Sequence, residues 1–302
     1  MYYRSFNDEM RERFGAKVYK LSLDGGFSCP NRDGTLSYGG CIFCRGGSGD
    51  FAQNADGGLQ AQIERAKAMV EKKNPSGLYM AYFQSYTNTY ASPERLRELY
   101  LPVAGRDDIA ALDIATRPDC IGEGVLDVLE ELSGIKPLIV ELGLQTVHET
   151  SAVYLRRGYP LRVYDEAVKA LSERNIGTVA HMIIGIPGES TEMIVQTAEH
   201  IARSGADSIK FHMLHVLSGT DLAGEYEEGR VHLMGLEEYI DVLEECIRHI
   251  RRDMSVHRFT GDGNKKYLIA PGWSADKKKV LNRIMKRFRD DDLIQGEKYT
   301  QN

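Results

Sequence analysis

The sequence predicts an α/β protein built as an open, partial (β/α)6 barrel with a C-terminal helical extension, and three observations carry that prediction. Short β-branched or aliphatic runs alternate with segments of helical period, which is the pattern of βα units around a parallel sheet. Six such units can be counted, two short of a closed (β/α)8 barrel. No repeat of 20–50 residues is visible, so a solenoid or propeller is excluded.

Strands are expected at 17–23 (KVYKLSL), 78–84 (LYMAYFQ), 109–115 (IAALDIA), 137–144 (PLIVELGL), 178–185 (TVAHMIIG) and 207–213 (DSIKFHM). The clearest helices between them are 59–73, 123–133, 162–175 and 191–205. After the sixth strand the character changes: one long helix over 235–253, an edge strand and turn at VHRFTGDG, then LIAPGW leading into a basic helix over 277–289. The expected division is a barrel over 1–215 and an extension over 216–302 packed on it, with no Pro- or Ser-rich linker between.

With 42% hydrophobic and 27% charged residues, the chain has the composition of a globular protein with a sizeable core. The N-terminus, MYYRSFNDEMRERFG, lacks the apolar run of a secretory signal, and no stretch reaches the roughly 18 apolar residues of a membrane helix. A cytoplasmic protein with no membrane partner is expected, and there clustered cysteines bind metal or do chemistry more often than they pair. The net charge of −6 argues against a surface coated in basic residues for nucleic acid. One basic strip stands out: KKKVLNRIMKRFR carries seven Lys or Arg, and the N-terminal segment adds Arg4, Arg11, Arg13, Lys17 and Lys20. A solvated helix face balanced by the following DDD explains the strip equally well.

Three of the five cysteines lie in one loop, SCPNRDGTLSYGGCIFC, directly after the first strand, where barrel-like α/β proteins keep their chemistry. The spacing is C-x11-C-x2-C through Cys29, Cys41 and Cys44. A structural zinc site is normally closed by four protein ligands, whereas Cys120 and Cys246 are isolated and the next histidine is His148. A redox CxxC would leave the third thiol idle. Three cysteines can instead hold three irons of a [4Fe–4S] cube and leave the fourth open to a small molecule. The amino and carboxylate groups of S-adenosylmethionine suit such an iron, and reduction of the sulfonium would release an adenosyl radical. The alternatives at this point are a cluster enzyme and a zinc-binding structural or interaction protein.

The loop resembles that of the radical SAM superfamily, whose three-cysteine motif follows the first strand of a partial (β/α)6 barrel. The usual spacing there is C-x3-C-x2-C; the longer first gap is similar to that of the elongator catalytic subunit. Further motifs carry the resemblance at successive strand ends. Gln84 and Ser85 of QSYTNTYAS stand where relatives receive the amino group of S-adenosylmethionine, although the usual glycine pair is absent. Thr116-Arg117-Pro118-Asp119 matches a TRPD segment, and ELGLQT is similar to a GVQS segment whose Gln meets the ribose, which maps to Gln145. Arg157 of RRGY stands where relatives place an arginine beside the carboxylate. In HMIIGIPGES the backbone of Ile186 is implied to meet the adenine, Gly185 and Gly188 allow close approach, and His181 faces the pocket if strand alternation holds. His212 and His215, at the end of the sixth strand, are weaker candidates for substrate contact.

Over nearly the whole chain the resemblance is to the YtqA/YhcC-like group of that superfamily, through LSLDGGFSCPNRDGT, YFQSYTNTYA, TRPDC, ELGLQT, HMIIGIPGE, HRFTGDG and LIAPGW. Its MnmL-like members are associated with tRNA wobble-uridine modification, taking 5-carboxymethylaminomethyl toward 5-aminomethyl. The resemblance therefore implies a [4Fe–4S] cluster on Cys29, Cys41 and Cys44, S-adenosylmethionine, a tRNA anticodon loop as substrate, and an electron donor such as flavodoxin or ferredoxin. A radical SAM enzyme acting on a small metabolite is the alternative within the same family.

Overall fold

In a computed structural model of the chain, residues 2–46, 52, 57–74, 76–261 and 263–301 are described; Asp262 of the HRFTGDG segment lies outside them. Six strands, β1 (Tyr19–Leu23), β2 (Tyr79–Phe83), β3 (Ile109–Thr116), β4 (Leu138–Gln145), β5 (Gly177–Ile184) and β6 (Ser208–Met213), lie parallel and side by side in chain order. Each begins and ends within two residues of its expected position. They are legible because each is a near-continuous apolar run, as strands covered on both faces must be. The helices α2 (Gly58–Val70), α3 (Pro93–Ala104), α4 (Glu123–Ser133), α6 (Leu161–Glu173) and α7 (Thr191–Arg203) follow them in turn, after the short α1 (Phe6–Phe14) and with α5 (Glu149–Tyr154) as an extra turn. Ser92 caps α3 by accepting from the Arg95 N–H, and Pro93 opens the helix at a position where its missing N–H costs nothing.

The extension is helical only in part. Its strand β8 (Ser255–Arg258) pairs parallel with β6 and makes the sheet seven-stranded. A two-stranded antiparallel pair, β7 (Val216–Leu217) and β9 (Leu268–Ala270), stands beyond the ends of the main strands. Between them run α8 (Asp221–Glu227) and α9 (Leu236–His249), and α10 (Lys277–Asp290) follows. Helix α9 stops short of the expected residue 253 because the C-terminal tail takes its last carbonyls: the Gly296 and Lys298 N–H groups donate to the oxygens of Ile247 and Arg248.

The outer face of the sheet packs Leu21, Leu23, Phe83, Leu112 and Ile114 against apolar helix residues such as Ile63, Leu96 and Tyr100, all fully or nearly fully buried. The inner face carries charge. Lys20, Tyr82, Asp113, Glu141, His181 and Lys210 come from β1 through β6 in order and meet in one layer. Glu141 is its hub: Oε1 takes Lys210 Nζ in a short contact and Lys20 Nζ at 3.2 Å, and Oε2 takes the Tyr82 hydroxyl at 3.1 Å and His181 Nε2 at 2.8 Å. Lys20 also pairs with Asp113.

These contacts prove that the sheet is curled. Lys210 Nζ is 3.2 Å from the Tyr82 hydroxyl, yet β6 and β2 are four places apart, about 19 Å in a flat sheet. The open side between β8 and β1 is bridged by the N-terminal segment. The Val256 N–H donates to Arg4 O, the Phe6 ring lies 4.7 Å from that of His257 in β8, and Lys20 Nζ lies 4.6 Å from the same Phe6 ring.

Burial alone would raise the Glu141 carboxyl, but the Lys210 and Lys20 ammonium groups and His181 hold it well below the carboxylate range. Asp113 goes the other way: burial and the neighbouring Glu141 charge push it up to about 7 against the pull of Lys20. The two carboxylates therefore differ in what their loss does. Glu141→Gln leaves two buried ammonium groups short of a counter-charge and costs about 3–5 kcal/mol, whereas Asp113→Asn costs about 1–2 kcal/mol. Urea unfolding of the two variants at pH 7 measures the difference, and equal losses would refute the hub.

Candidate functional site

At the C-terminal ends of the strands the curled sheet opens into a cavity of about 370 Å³, lined by the cysteine loop and by residues from nearly every strand end. Cys29, Cys41 and Cys44 all line it and are half-buried. Their loop is built around two side chains. Asn31 Nδ2 donates to Arg156 O at 2.6 Å and reaches Cys41 Sγ at 3.5 Å, while its own carbonyl receives the Gly40 N–H at 2.8 Å. Arg32 Nη1 donates to the oxygens of Gly39 at 3.1 Å and Cys44 at 2.9 Å. Gly40 is required here: it sits at φ 83, and a Cβ would lie 2.8 Å from Arg32 Nη1. Ile42 anchors the loop to the barrel by packing with Leu155, Ile183 and Ile186.

Burial, and next to it the neighbouring Cys44 thiol, pushes the Cys41 thiol up to about 11. Bound iron would reverse that balance, since a cation makes the thiolate the favoured form. Three thiols outside any disulfide, on one cavity wall, fit a cluster that would take each cysteine at a different iron. Among the described residues no three His, Cys, Asp or Glu side chains converge as ligands of a single metal ion. Neither Cys120 nor the buried Cys246 lines the cavity.

Of the other expected site residues, Gln84, Thr116, Gln145, Arg157 and His181 line the same cavity. Ser85 and Ile186 do not. Ser85 is fully buried behind the wall, and Ile186 packs beneath its turn against the apolar cluster that holds Ile42. Thr116 Oγ1 is 2.6 Å from Thr89 Oγ1, and Gln145 stands at φ 71, a conformation that non-glycine residues rarely adopt.

Arg157 is in place but differently employed. Its guanidinium, which the resemblance sets beside a bound carboxylate, is bonded here to the chain. Nε donates to Tyr159 O at 2.9 Å, Nη1 to Leu144 O and Thr146 O at 3.2 and 2.6 Å, and Nη2 faces both Glu149 oxygens at 3.4 Å. Its side chain is 2% exposed. The carbonyls it satisfies lie where the β4 register shifts (Leu144), just past β4 (Thr146) and before α6 (Tyr159), places where ladder pairing is interrupted or absent. The Arg117 guanidinium works similarly, clasping Asp119 bidentately at 2.9 and 2.7 Å and donating to Arg157 O at 2.9 Å.

Tyr82, Glu141 and Arg258, which are not among the residues expected at the site, form the cavity floor with His181 and His212. The signal for Glu141 was a lone ionisable residue inside the apolar run PLIVELGL, as Asp113 is in IAALDIA and His181 in TVAHMIIG. His212 lies 4.9 Å from the His181 ring, its Nε2 has no partner among the described residues, and burial holds it well below the usual histidine range.

The basic helix is also only half what the sequence suggested. Arg283 Nε bonds Glu237 at 2.7 Å, Arg287 bonds Asp241 at 2.6 Å and Asp291 at 3.0 Å, and Lys286 pairs with Asp290. Those charges are neutralised by α9 and by the helix's own end. The first turn, Lys277 to Lys279, lies at the cavity end, three residues after Ser274, whose hydroxyl is 3.1 Å from the cavity-lining His215.

Replacing Arg157 with Lys removes the planar fork that serves three carbonyls, and a single ammonium cannot reach them all. The variant should lose about 3 kcal/mol or more of stability, read as a lowered urea midpoint. Unchanged stability with weakened binding of S-adenosylmethionine would return the residue to the ligand.

Comparison with known proteins agrees with this geometry. The sequence profile of the Radical SAM superfamily matches residues 32–201, and that of the Radical_SAM C-terminal domain matches residues 206–290. The chain is similar to the YtqA protein of Bacillus subtilis strain 168, at 42% identity over 296 residues, covering 98% of this chain and 92% of that one. It is similar to protein YhcC of Escherichia coli K12, at 36% over 292 residues, covering 96% and 93%. A shorter match, 27% over 136 residues, covers 44% of this chain and 25% of the tRNA uridine(34) acetyltransferase of Methanocaldococcus jannaschii. Among solved structures the fold resembles the archaeal Methanocaldococcus infernus Elp3, with a TM-score of 0.69 at 16% identity, covering 92% of this chain but only 64% of that one.

Proposed function

Because the chain belongs to the radical SAM superfamily, we propose that it modifies the wobble uridine of a tRNA, converting a 5-carboxymethylaminomethyl group to 5-aminomethyl. The family's cofactors are a [4Fe–4S] cluster and S-adenosylmethionine, which together supply one-electron chemistry able to break a C–H bond. On this reading Cys29, Cys41 and Cys44 hold three irons. Gln84, Thr116, Gln145 and His181 offer hydrogen bonds along the wall, whereas Ile186, which the resemblance sets against the base of S-adenosylmethionine, packs beneath its turn and is left out of the set. Arg157 holds the loop after β4 in shape. An external electron donor of the flavodoxin or ferredoxin kind and a cytosolic location complete the proposal.

The observation that carries the substrate class is a local reversal of charge. In a chain of net charge −6, the described cavity lining includes Arg32, Arg45, Arg117, Arg157 and Arg258 against Glu141; even with Arg117 paired to Asp119 and Arg157 to Glu149 just outside that lining, cations remain in excess. That is the field a polyanion would follow. The names of the partial relatives, a tRNA uridine(34) acetyltransferase and a tRNA-2-methylthio-N(6)-dimethylallyladenosine synthase, support the same class. A small-metabolite substrate is the second reading, favoured by the charged floor that closes the cavity from below.

Three outcomes are expected. Cys29→Ala, Cys41→Ala or Cys44→Ala should each lose the visible absorbance of the cluster and the cleavage of S-adenosylmethionine together, while Cys120→Ala and Cys246→Ala keep both; iron and sulfide counts under anaerobic conditions check this. Neutralising Lys277, Lys278 and Lys279 should weaken tRNA binding and flatten its salt dependence by roughly 0.7–0.9 in slope for each phosphate no longer neutralised, with iron content unchanged. Reduced enzyme given S-adenosylmethionine and tRNA bearing 5-carboxymethylaminomethyluridine should yield 5-aminomethyluridine by mass spectrometry. Cleavage of S-adenosylmethionine without that product would transfer the proposal to the small-metabolite reading.

A further inference from the structure

We propose that the lip of the cavity is a stacking site for an unpaired RNA base, formed by Tyr86, Arg45 and Tyr267; the choice of RNA rests on the tRNA reading above. The Arg45 guanidinium carbon lies 3.3 Å from the centroid of the Tyr267 ring, the separation of a flat stack. A guanidinium stacked on one face by a ring still presents a second planar face, and such planes are platforms for splayed bases. Lys266 Nζ lies 5.3 Å from the same ring, and Lys265 beside it is exposed.

Tyr86 completes the lip from the other side. It follows β2, lines the cavity, and is 37% exposed although it is a large ring. Its backbone is held at φ 59, a left-handed conformation that costs an L-residue with a bulky side chain and is kept where the surroundings enforce it. Gly46, the neighbour of Arg45, stands so close that a methyl on it would touch the Tyr86 hydroxyl at 3.7 Å. Tyr86, Arg45 with Gly46, and Tyr267 therefore make one edge across the mouth, from the second strand to the segment beyond the last. The edge interleaves rings with cations, which is the composition of a single-strand nucleic-acid site.

The test uses reconstituted enzyme with S-adenosylmethionine and an RNA hairpin carrying 2-aminopurine in its unpaired loop. Binding should quench the fluorophore as its base stacks, and a fully paired duplex of the same stem should neither quench nor compete. Tyr86→Ala and Arg45→Lys should each raise the Kd about tenfold and relieve the quench. Arg45→Lys keeps the charge, so the salt slope should stay as it was; Tyr86→Phe keeps the ring and should bind like the parent. Replacing Lys265 and Lys266 with Ala should do the reverse, flattening the slope while leaving the quench at saturation. Iron content and S-adenosylmethionine affinity equal to the parent certify the fold of each variant. A lip that serves a protein partner would leave hairpin affinity and fluorescence untouched in Tyr86→Ala and Arg45→Lys, and that result overturns the proposal. Hairpin binding through the lip without conversion of the modified uridine keeps the site and sinks the reaction; conversion with parental Kd in both variants keeps the reaction and sinks the site.

Discussion

A carboxylate sealed inside the sheet, Glu141, sets the terms for everything around it. It has no exposure to solvent, and an ion in that position costs several kcal/mol unless charge and hydrogen bonds return the loss. The returning groups are Lys20, Tyr82, His181 and Lys210, which belong to four different strands. They can meet at one carboxylate only if the sheet curls, and a sheet curled that tightly with a charged interior folds only if they meet. The two ammonium groups reflect their places in the layer. Burial works against both, but Lys20 bonds both carboxylates and is raised, whereas Lys210 bonds one carboxylate, Glu141, and the neutral Tyr82 hydroxyl, and is lowered to about 8. The cavity above thus inherits a floor that is polar, fixed in orientation, and made of one residue per strand.

The walls and the cysteine loop are held by a different device. Loops at strand ends leave backbone carbonyls without ladder partners, and those carbonyls must be paired if they are buried. Here Arg32, Arg117 and Arg157 supply the donors, each guanidinium serving one or more main-chain oxygens around the cavity. An arginine can do this because its planar fork offers several N–H groups in fixed directions, which an ammonium does not. Strain collects at the same rim: among the described residues Tyr86, Gln145 and Arg156 are three of the five non-glycine positions with positive φ, and all three touch the cavity or the loop. The strain is tolerated where the arginines over-determine the backbone.

This division explains what the sequence disclosed and what it hid. The six strands were readable because burial on both faces leaves an uninterrupted apolar run, and the cysteine loop because its residue types have few other uses. The floor was hidden in those same runs: an isolated ionisable residue in an apolar strand looks like noise until the curl shows that such residues converge. Arg157 was legible by position but not by employment, since spacing says which loop a side chain belongs to and not where its donors point. The basic helix misled for a related reason, because the acids that neutralise Arg283 and Arg287, namely Glu237 and Asp241, lie about 46 positions away in sequence. The seventh strand was anticipated only as an edge, and the N-terminal helix not at all; both gain their structure from partners distant in the chain, Ser208 to Lys210 for β8 and His257 with Ser255 for α1.

The distribution of charge then acquires a physical role. The chain is acidic overall, and many basic side chains on its helices are matched by acids, as Arg97 is by Glu131, Arg174 by Glu123 and Arg287 by Asp241. At physiological salt the field of such pairs fades within a Debye length of about 8 Å. What a polyanion meets at longer range is a weakly repulsive surface, and what it meets at the mouth is a cluster of arginines set in low-dielectric walls, where charge is screened least. On the proposed reading this arrangement discriminates by geometry as well as by charge. A paired helix keeps its bases stacked and cannot bring its phosphates and a base into the mouth together, whereas an unpaired loop can present both, so the acidic exterior acts against the wrong nucleic acid while the mouth selects the right one.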